Sequence, residues 1–111
     1  MALGDGSLVP NSTRGRSFGD GEVDKMSLEE YRAELDKVDK VLEENFVRRM
    51  QIVAKIGEYK RQNGIPTLDA GREAKVLEKH TKDIAPEFVP YMEEYFKAMM
   101  AISRKYQDDN R

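Results

Sequence analysis

The sequence predicts an all-α protein with three helices, in the order long, short, long. Apolar residues recur at spacings of three, four and seven over two long stretches, which is the period of an amphipathic helix. Five of the eight glycines lie in residues 1–25, and breaks at 63–66 and 83–90 separate the predicted helices. No segment alternates apolar and polar residues as a half-buried strand would.

The composition narrows the class further. The chain has 111 residues, 36% of them charged and 39% apolar, with a net charge of -2. A core of this size is marginal for one chain, which favours burial between subunits. No run of basic residues exceeds two, so nucleic acid is not an expected partner. Without cysteine, a long apolar run or the apolar region of a signal peptide, we expect a cytoplasmic protein with no membrane segment, disulfide or thiolate metal site.

Residues 1–25 differ from the rest of the chain. They are rich in glycine and polar residues, and Phe18 is their only aromatic residue. Such a segment cannot bury enough apolar surface to offset the entropy of ordering it. We expect it to be disordered, as a native extension or as a leader in front of a natural start at Met26. The folded domain is predicted over residues 26–111.

The first helix is predicted from Ser27 to Arg61. Ser27 and Glu30 have the spacing of a capping box, and the sequence Asn-Gly-Ile-Pro at 63–66 ends the helix. A helix of this length would be a rod of roughly 52 Å, whereas a compact domain of about 86 residues has a radius of gyration near 12 Å. The rest of the chain cannot cover such a rod, so the sequence predicts an oligomer. The apolar stripe consists of Leu28, Tyr31, Leu35, Val38, Leu42, Phe46, Val53 and Ile56.

Two further helices complete the domain. Asp69 is a favoured N-cap for a second helix over 70–82, with Val76 and Leu77 facing inward. Prolines at 86 and 90 place the start of the third helix between residues 87 and 91, because proline is tolerated only in a first turn. The third helix is predicted to end at about Gln107, with the last four residues frayed. Its predicted apolar face consists of Phe88, Met92, Tyr95, Phe96, Met99, Ile102 and Tyr106.

Several polar residues fall at positions that a ligand site could use. Arg49 and Lys60 are separated by 11 positions, so they share a helix face about 16 Å apart along the axis. The two cationic side chains could bind one small dianion between them. Arg32 lies about 100° round the same helix and ~25 Å from Arg49 along it. If Arg32 belongs to the site, it must come from a second copy of the chain.

Other candidates lie near the second and third helices. Asp69, Arg72 and Glu73 occupy the cap and first turn of the second helix, where backbone N–H groups favour anions. Ser103 and Gln107 are four apart, so they stack on one face of the third helix. Each of these residues has an ordinary alternative as a cap, a solvated charge or a surface position. Periodicity alone indicates a helical oligomer that could bind a small anion.

Taken in order, these positions resemble the all-helical (AroQ-class) chorismate mutases over essentially everything from Leu28 to Gln107. Arg48 precedes Arg49, but the spacing to Arg32 and Lys60 favours Arg49 as the ligand. The matching segments are Tyr31-Arg32-Ala33-Glu34-Leu35-Asp36-Lys37-Val38-Asp39, Arg48-Arg49, Ile56-Gly57-Glu58-Tyr59-Lys60, Gly64-Ile65-Pro66-Thr67-Leu68-Asp69-Ala70-Gly71-Arg72-Glu73 and Ser103-x-x-x-Gln107.

The resemblance implies an intertwined helical homodimer with two sites, each completed by Arg32 of the other copy. The implied reaction is the pericyclic rearrangement of chorismate to prephenate in aromatic amino-acid biosynthesis, which requires no cofactor or metal. The implied catalytic residues are Lys60, Gln107 and Arg49. The implied substrate-binding residues are Arg32, Arg49, Lys60, Asp69, Arg72, Glu73, Ser103 and Gln107.

Three alternatives remain at this point. An isochorismate-pyruvate lyase on the same scaffold would use a similar site and break the same kind of ether bond. A non-catalytic helical dimerisation module would need neither Lys60 nor Gln107. The domain could also be one part of a bifunctional enzyme, although the free start at Met26 and the short tail after Gln107 favour a stand-alone mutase.

Overall fold

The computed structural model describes residues 26–111, so the prediction for residues 1–25 lies outside the described part. The helices are α1 (Leu28–Gln62), α2 (Ala70–Thr81) and α3 (Val89–Asp109), with a short 3₁₀ turn (Pro86–Phe88) directly before α3. Residues 26–111 contain no strand. The predicted order of a long, a short and a long helix is confirmed.

Local signals set both ends of α1. The Ser27 hydroxyl accepts from the Glu30 backbone N–H at 3.1 Å, and the Glu30 carboxylate accepts from the Ser27 N–H at 2.7 Å, which completes the capping box. At the other end Gly64 has a φ of 65°, a left-handed conformation that glycine adopts without strain. The Ile65 N–H then bonds back to the Lys60 carbonyl at 2.8 Å. The helix ends at residue 62, one position beyond the prediction.

The cap of α2 is the predicted one. The Asp69 carboxylate accepts from the backbone N–H of Arg72 at 3.0 Å, which satisfies a donor that the helix itself leaves unpaired. The helix ends at Thr81, one residue earlier than expected. Val76 and Leu77 are half-buried, as an inward face requires.

The prediction that α3 ends at residue 107 with a frayed tail is wrong. The helix continues to Asp109, and the Arg111 guanidinium donates to the Thr67 hydroxyl at 2.7 Å and to the Ile65 carbonyl at 3.1 Å. The Thr67 hydroxyl in turn donates to the Asp108 carboxylate at 2.7 Å. The loop between α1 and α2 therefore holds the last turn of α3 in place.

The third helix is the centre of the packing. Both α1 and α2 pack against α3, and within residues 26–111 the backbones of α1 and α2 make no contact with each other. A Cβ at Gly57 of α1 would lie 3.0 Å from Cγ of Gln107, so the glycine permits the close approach of α1 to α3. The buried residues of the described chain are Val53, Met100, Ser103 and Gln107, each with 5–7% of its surface exposed.

The predicted inward face of α3 is rotated from the observed one. Ile102 and Tyr106 are 45% and 36% exposed, whereas Met100, Ser103 and Gln107 are buried. The reason is that α3 is covered on two sides, by α1 and by α2. The buried stripe therefore lies on the part of α3 that faces the space between those two helices, and this part carries polar residues.

The first half of α1 extends beyond the other helices. The protein measures 57 × 25 × 22 Å, and from residue 28 to residue 48 every side chain except Tyr31 is exposed. Nothing else in residues 26–111 covers this stretch. The large apolar side chains exposed on it are Leu28, Leu35, Val38, Val41, Leu42, Phe46 and Val47.

Candidate active site

A cavity of about 260 Å³ lies where α1, α2 and α3 meet. It brings together seven of the eight residues that the sequence predicted for the site. Sequence reasoning did not assign Val53, Ile56, Thr67, Val76, Met100 and Arg104 to it. The cavity is lined by Arg49, Val53, Ile56, Lys60, Thr67, Asp69, Arg72, Glu73, Val76, Met100, Ser103, Arg104 and Gln107.

The cavity is lined by both cationic residues that the sequence predicted on one face of α1, Arg49 and Lys60. The Arg49 guanidinium donates to the Ser103 hydroxyl, which donates to the Met99 carbonyl at 3.0 Å. Arg48 is exposed and does not line the cavity. Arg49 is half-buried, and its hydrogen bond to α3 restricts the directions in which it can present its remaining N–H donors.

Lys60 lies at the other end of the same wall. Its ammonium group donates to the Thr67 backbone carbonyl at 2.8 Å. An ammonium has three N–H donors, so this bond leaves two for a ligand. The loop that Arg111 anchors is thus also the loop that positions Lys60.

The amide of Gln107 is buried at the cavity wall, with 7% of the residue exposed. Its Nε2 donates to the Ser103 backbone carbonyl at 3.3 Å, and its Oε1 has no hydrogen-bond partner within the described chain. One N–H of the amide therefore remains available to a ligand. Buried polar atoms usually have partners, so this unpaired amide oxygen calls for an explanation, and a hydrogen-bond donor of a bound ligand would supply one.

Glu73 and Arg104 form an ion pair across the cavity wall. One nitrogen of the Arg104 guanidinium, Nη1, lies 2.6 Å from Oε1 of Glu73 and also contacts Oε2. Arg104 is three residues before Gln107, and residues three apart on a helix are neighbours. That spacing was the signal in the sequence that could have revealed Arg104.

The charge of the cavity is opposite to the charge of the whole chain. Four cationic and two anionic side chains line it, which gives a net charge of +2, whereas the chain carries -2. Four apolar side chains also line the cavity, Val53, Ile56, Val76 and Met100, and a low local dielectric strengthens interactions with a charged ligand. A small dianion with an apolar ring would match this cavity in charge and surface. The four cationic residues that line the cavity are Arg49, Lys60, Arg72 and Arg104, and the two anionic residues are Asp69 and Glu73.

Residues 31–108 match the family model described as chorismate mutase type II. The chain belongs to the chorismate mutase type II family. It is 31% identical over 80 residues to the T-protein of Enterobacter agglomerans, an alignment that covers 70% of this chain and 21% of the relative. It is 33% identical over 52 residues to the T-protein of Haemophilus influenzae, covering 47% of this chain and 14% of the relative. The chain thus spans about a fifth or less of these curated relatives, and no solved structure matches it.

Arg32 is the one predicted site residue of this chorismate mutase family member that does not line the cavity. It is exposed on the uncovered half of α1, about 25 Å along the helix axis from Arg49. It cannot reach the cavity of its own chain. Residues 26–111 contain no helix long and apolar enough to span a membrane, and no group of acidic residues or histidines that could hold a metal.

Proposed function

We propose that this protein converts chorismate to prephenate in the cavity between its three helices, as an isomerase of aromatic amino-acid biosynthesis. The observation that supports the proposal most strongly is that Arg49, Lys60 and Gln107 line one cavity with a net charge of +2. Chorismate carries two carboxylates, so a cavity with this charge suits it. The cytoplasmic location stays a prediction from the sequence.

The first task of such a site is to hold the substrate in a reactive shape. Chorismate prefers an extended form, whereas the rearrangement requires a folded, chair-like form, so positioning lowers the barrier. Arg49 and the Arg32 of a second copy would bind the carboxylates through charge-assisted hydrogen bonds. Arg72 would orient the second carboxylate, and Ser103 would act through its hydrogen bond to Arg49.

The second task is to stabilise charge in the transition state. As the ether C–O bond breaks, negative charge develops on its oxygen, and donors already in place stabilise that charge. Lys60 and Gln107 are the proposed donors, because each retains free N–H groups after its bond to the protein. Glu73 and the backbone near Asp69 would bind the ring hydroxyl. No covalent intermediate is required.

The proposed site also needs a second subunit. The uncovered half of α1 carries seven large apolar side chains that nothing in residues 26–111 buries. A helix from another copy packed along it would remove this surface from water. It would also bring Arg32 of one chain to the cavity of the other, as an intertwined homodimer does.

The proposal concerns the domain that the structure describes. The related T-proteins are several times longer than the matched region, because the alignment covers only 21% of one and 14% of the other. The proposed mutase activity belongs to this domain and can be assayed on residues 1–111.

The test is the loss of chorismate absorbance on adding the full chain, with sedimentation in parallel. Lys60→Met should reduce kcat by about 10²–10³-fold, the loss expected for one donor to a developing oxyanion. The matched control is Lys55→Met, because Lys55 is an exposed lysine of α1 that does not line the cavity. Equal activity of both variants, as a dimerisation module predicts, would refute the proposal.

A companion assay separates the reaction from its nearest rival. An isochorismate-pyruvate lyase would release salicylate from isochorismate and leave chorismate intact. We expect the opposite result. A mixture of Arg32→Ala and Lys60→Met proteins should also recover activity after subunit exchange, since the mixed dimer has one intact site.

A further inference from the structure

The ion pair between Arg104 and Glu73 differs from the other ion pairs of the protein. It joins α3 to α2, and its side chains are only 33% and 25% exposed. The other four ion pairs within the described residues join positions three or four apart on one helix, with side chains at least 45% exposed. Exposed ion pairs of that kind contribute little to the stability of the fold. The Arg104–Glu73 pair is more sheltered, and both of its residues line the cavity.

The geometry of the pair leaves Glu73 able to bind a ligand. A carboxylate has two oxygens and about four lone pairs. The Nη1 atom of Arg104 approaches both oxygens from one side. The remaining lone pairs can accept a hydrogen bond from a hydroxyl group in the cavity. Arg104 therefore fixes the direction of the Glu73 carboxylate without using its full capacity as an acceptor.

The pair also affects the other cations of the cavity. Arg49, Lys60 and Arg72 line the same cavity, and each would attract a carboxylate that had no partner. Without Arg104, Glu73 would compete with the substrate for these cations. Arg104 keeps the acceptor for the ring hydroxyl separate from the donors for the carboxylates.

We propose that Arg104 is a positioning residue: it holds Glu73 toward the substrate hydroxyl and away from the cations that bind the substrate carboxylates. This inference rests on the proposed mutase function and adds a residue that acts through Glu73. In the described structure Arg104 makes both of its side-chain hydrogen bonds to Glu73.

The experiment measures chorismate turnover by the full chain and by five variants. Arg104→Gln should raise KM by about two- to tenfold, with a smaller fall in kcat, as expected when one rotamer-rich side chain loses its order. Arg104→Lys should recover part of the loss, because it restores the charge but not the planar guanidinium. The double variant Glu73→Gln/Arg104→Gln should be no worse than Glu73→Gln alone. Lys105→Gln is the control, since Lys105 is exposed and paired with Asp109 on the same helix.

The outcomes separate the two proposals. A wild-type protein that does not consume chorismate overturns both of them. An active wild type with Arg104→Gln unchanged overturns only the role of Arg104. A further loss in the double variant shows that Arg104 contacts the substrate itself. A lower melting temperature of Arg104→Gln with an unchanged KM reveals a merely structural ion pair.

Discussion

Replacing Gly57 by alanine should separate the stability of this protein from its activity. Gly57 is in the interior of α1, where alanine is favoured over glycine by about 0.8–1.0 kcal/mol. The new Cβ would lie 3.0 Å from Cγ of Gln107, 3.6 Å from its Cβ and 3.8 Å from its Cα. The backbone contact is ordinary, so only the Gln107 side chain has to move.

The size of the effect follows from where Gln107 can go. Its side chain lines the cavity, so we expect Cγ to shift by a few tenths of an ångström without moving the backbone. The stability gain should then survive, as an unfolding free energy equal to or up to about 1 kcal/mol above wild type. The amide moves away from its bond to the Ser103 carbonyl. If a misplacement of 1 Å costs about a hundredfold, a third of that distance costs about fivefold in kcat.

The assay combines chorismate turnover with urea unfolding of the same samples. Gly71→Ala is the matched control, because a Cβ there meets only the Asp69 carboxylate at 3.7 Å and Gly71 does not line the cavity. It should keep kcat within about twofold of wild type. A Gly57→Ala protein with unchanged kcat would refute the role of Gln107. A loss of more than about 1 kcal/mol of stability would refute the argument that the side chain can shift.

Three other predictions follow from the same geometry. Glutamine donates a hydrogen bond at any pH, so wild-type kcat should not depend on acid conditions. A glutamate must be protonated to donate, so the kcat of Gln107→Glu should rise as the pH falls. A wild-type kcat that rose steeply below about pH 6 would contradict this. Ser103→Ala removes the hydroxyl that accepts from Arg49, and should lower the unfolding free energy by about 1 kcal/mol and raise KM more than kcat falls. Leu35→Asp places a charge on the uncovered stripe of α1, and should yield an inactive monomer in sedimentation; an active monomer would exclude a site shared between chains.

Local chemistry explains why the sequence predicted the helices well. The Ser27–Glu30 capping box, the Asp69 cap and the left-handed Gly64 all involve residues within a few positions of each other. Such signals can be recognised in the sequence without knowledge of the fold. Pro86 likewise marks the approach to α3, because its ring restricts the backbone directly.

Interactions between distant parts of the chain explain the errors. The end of α3 depends on Arg111 and Thr67, which are 44 positions apart. The buried stripe of α3 depends on where α1 and α2 each pack on it, so Ser103 and Gln107 are buried while Ile102 is exposed. Hydrophobic periodicity assumes that the buried face is the apolar one, and that assumption fails beside a polar cavity.

Helical spacing alone aligns Arg49 with Lys60 and Ser103 with Gln107, so the sequence could group these residues without knowledge of the packing, and their roles stay predictions. Arg104 was missed since its importance depends on Glu73, which is 31 positions away on another helix. The contribution of Arg32 could be inferred only indirectly, because Arg32 is too far along α1 from Arg49 to reach the same cavity of its own chain. It stays a prediction until the oligomer is measured.

The packing of α2 against α3 alone has a consequence for how a ligand enters. A helix of 12 residues is marginal in isolation, so α2 depends on one neighbour for its order. Its opening would leave α1 and α3 together and would move Arg72 and Glu73 away from them, with the half-buried Glu73 becoming exposed to water. We expect the amide protons of α2 to exchange with deuterated solvent faster than those of α1 near Val53, and a bound dianion to slow that exchange. The opening of α2 would then be the route by which a ligand enters the cavity.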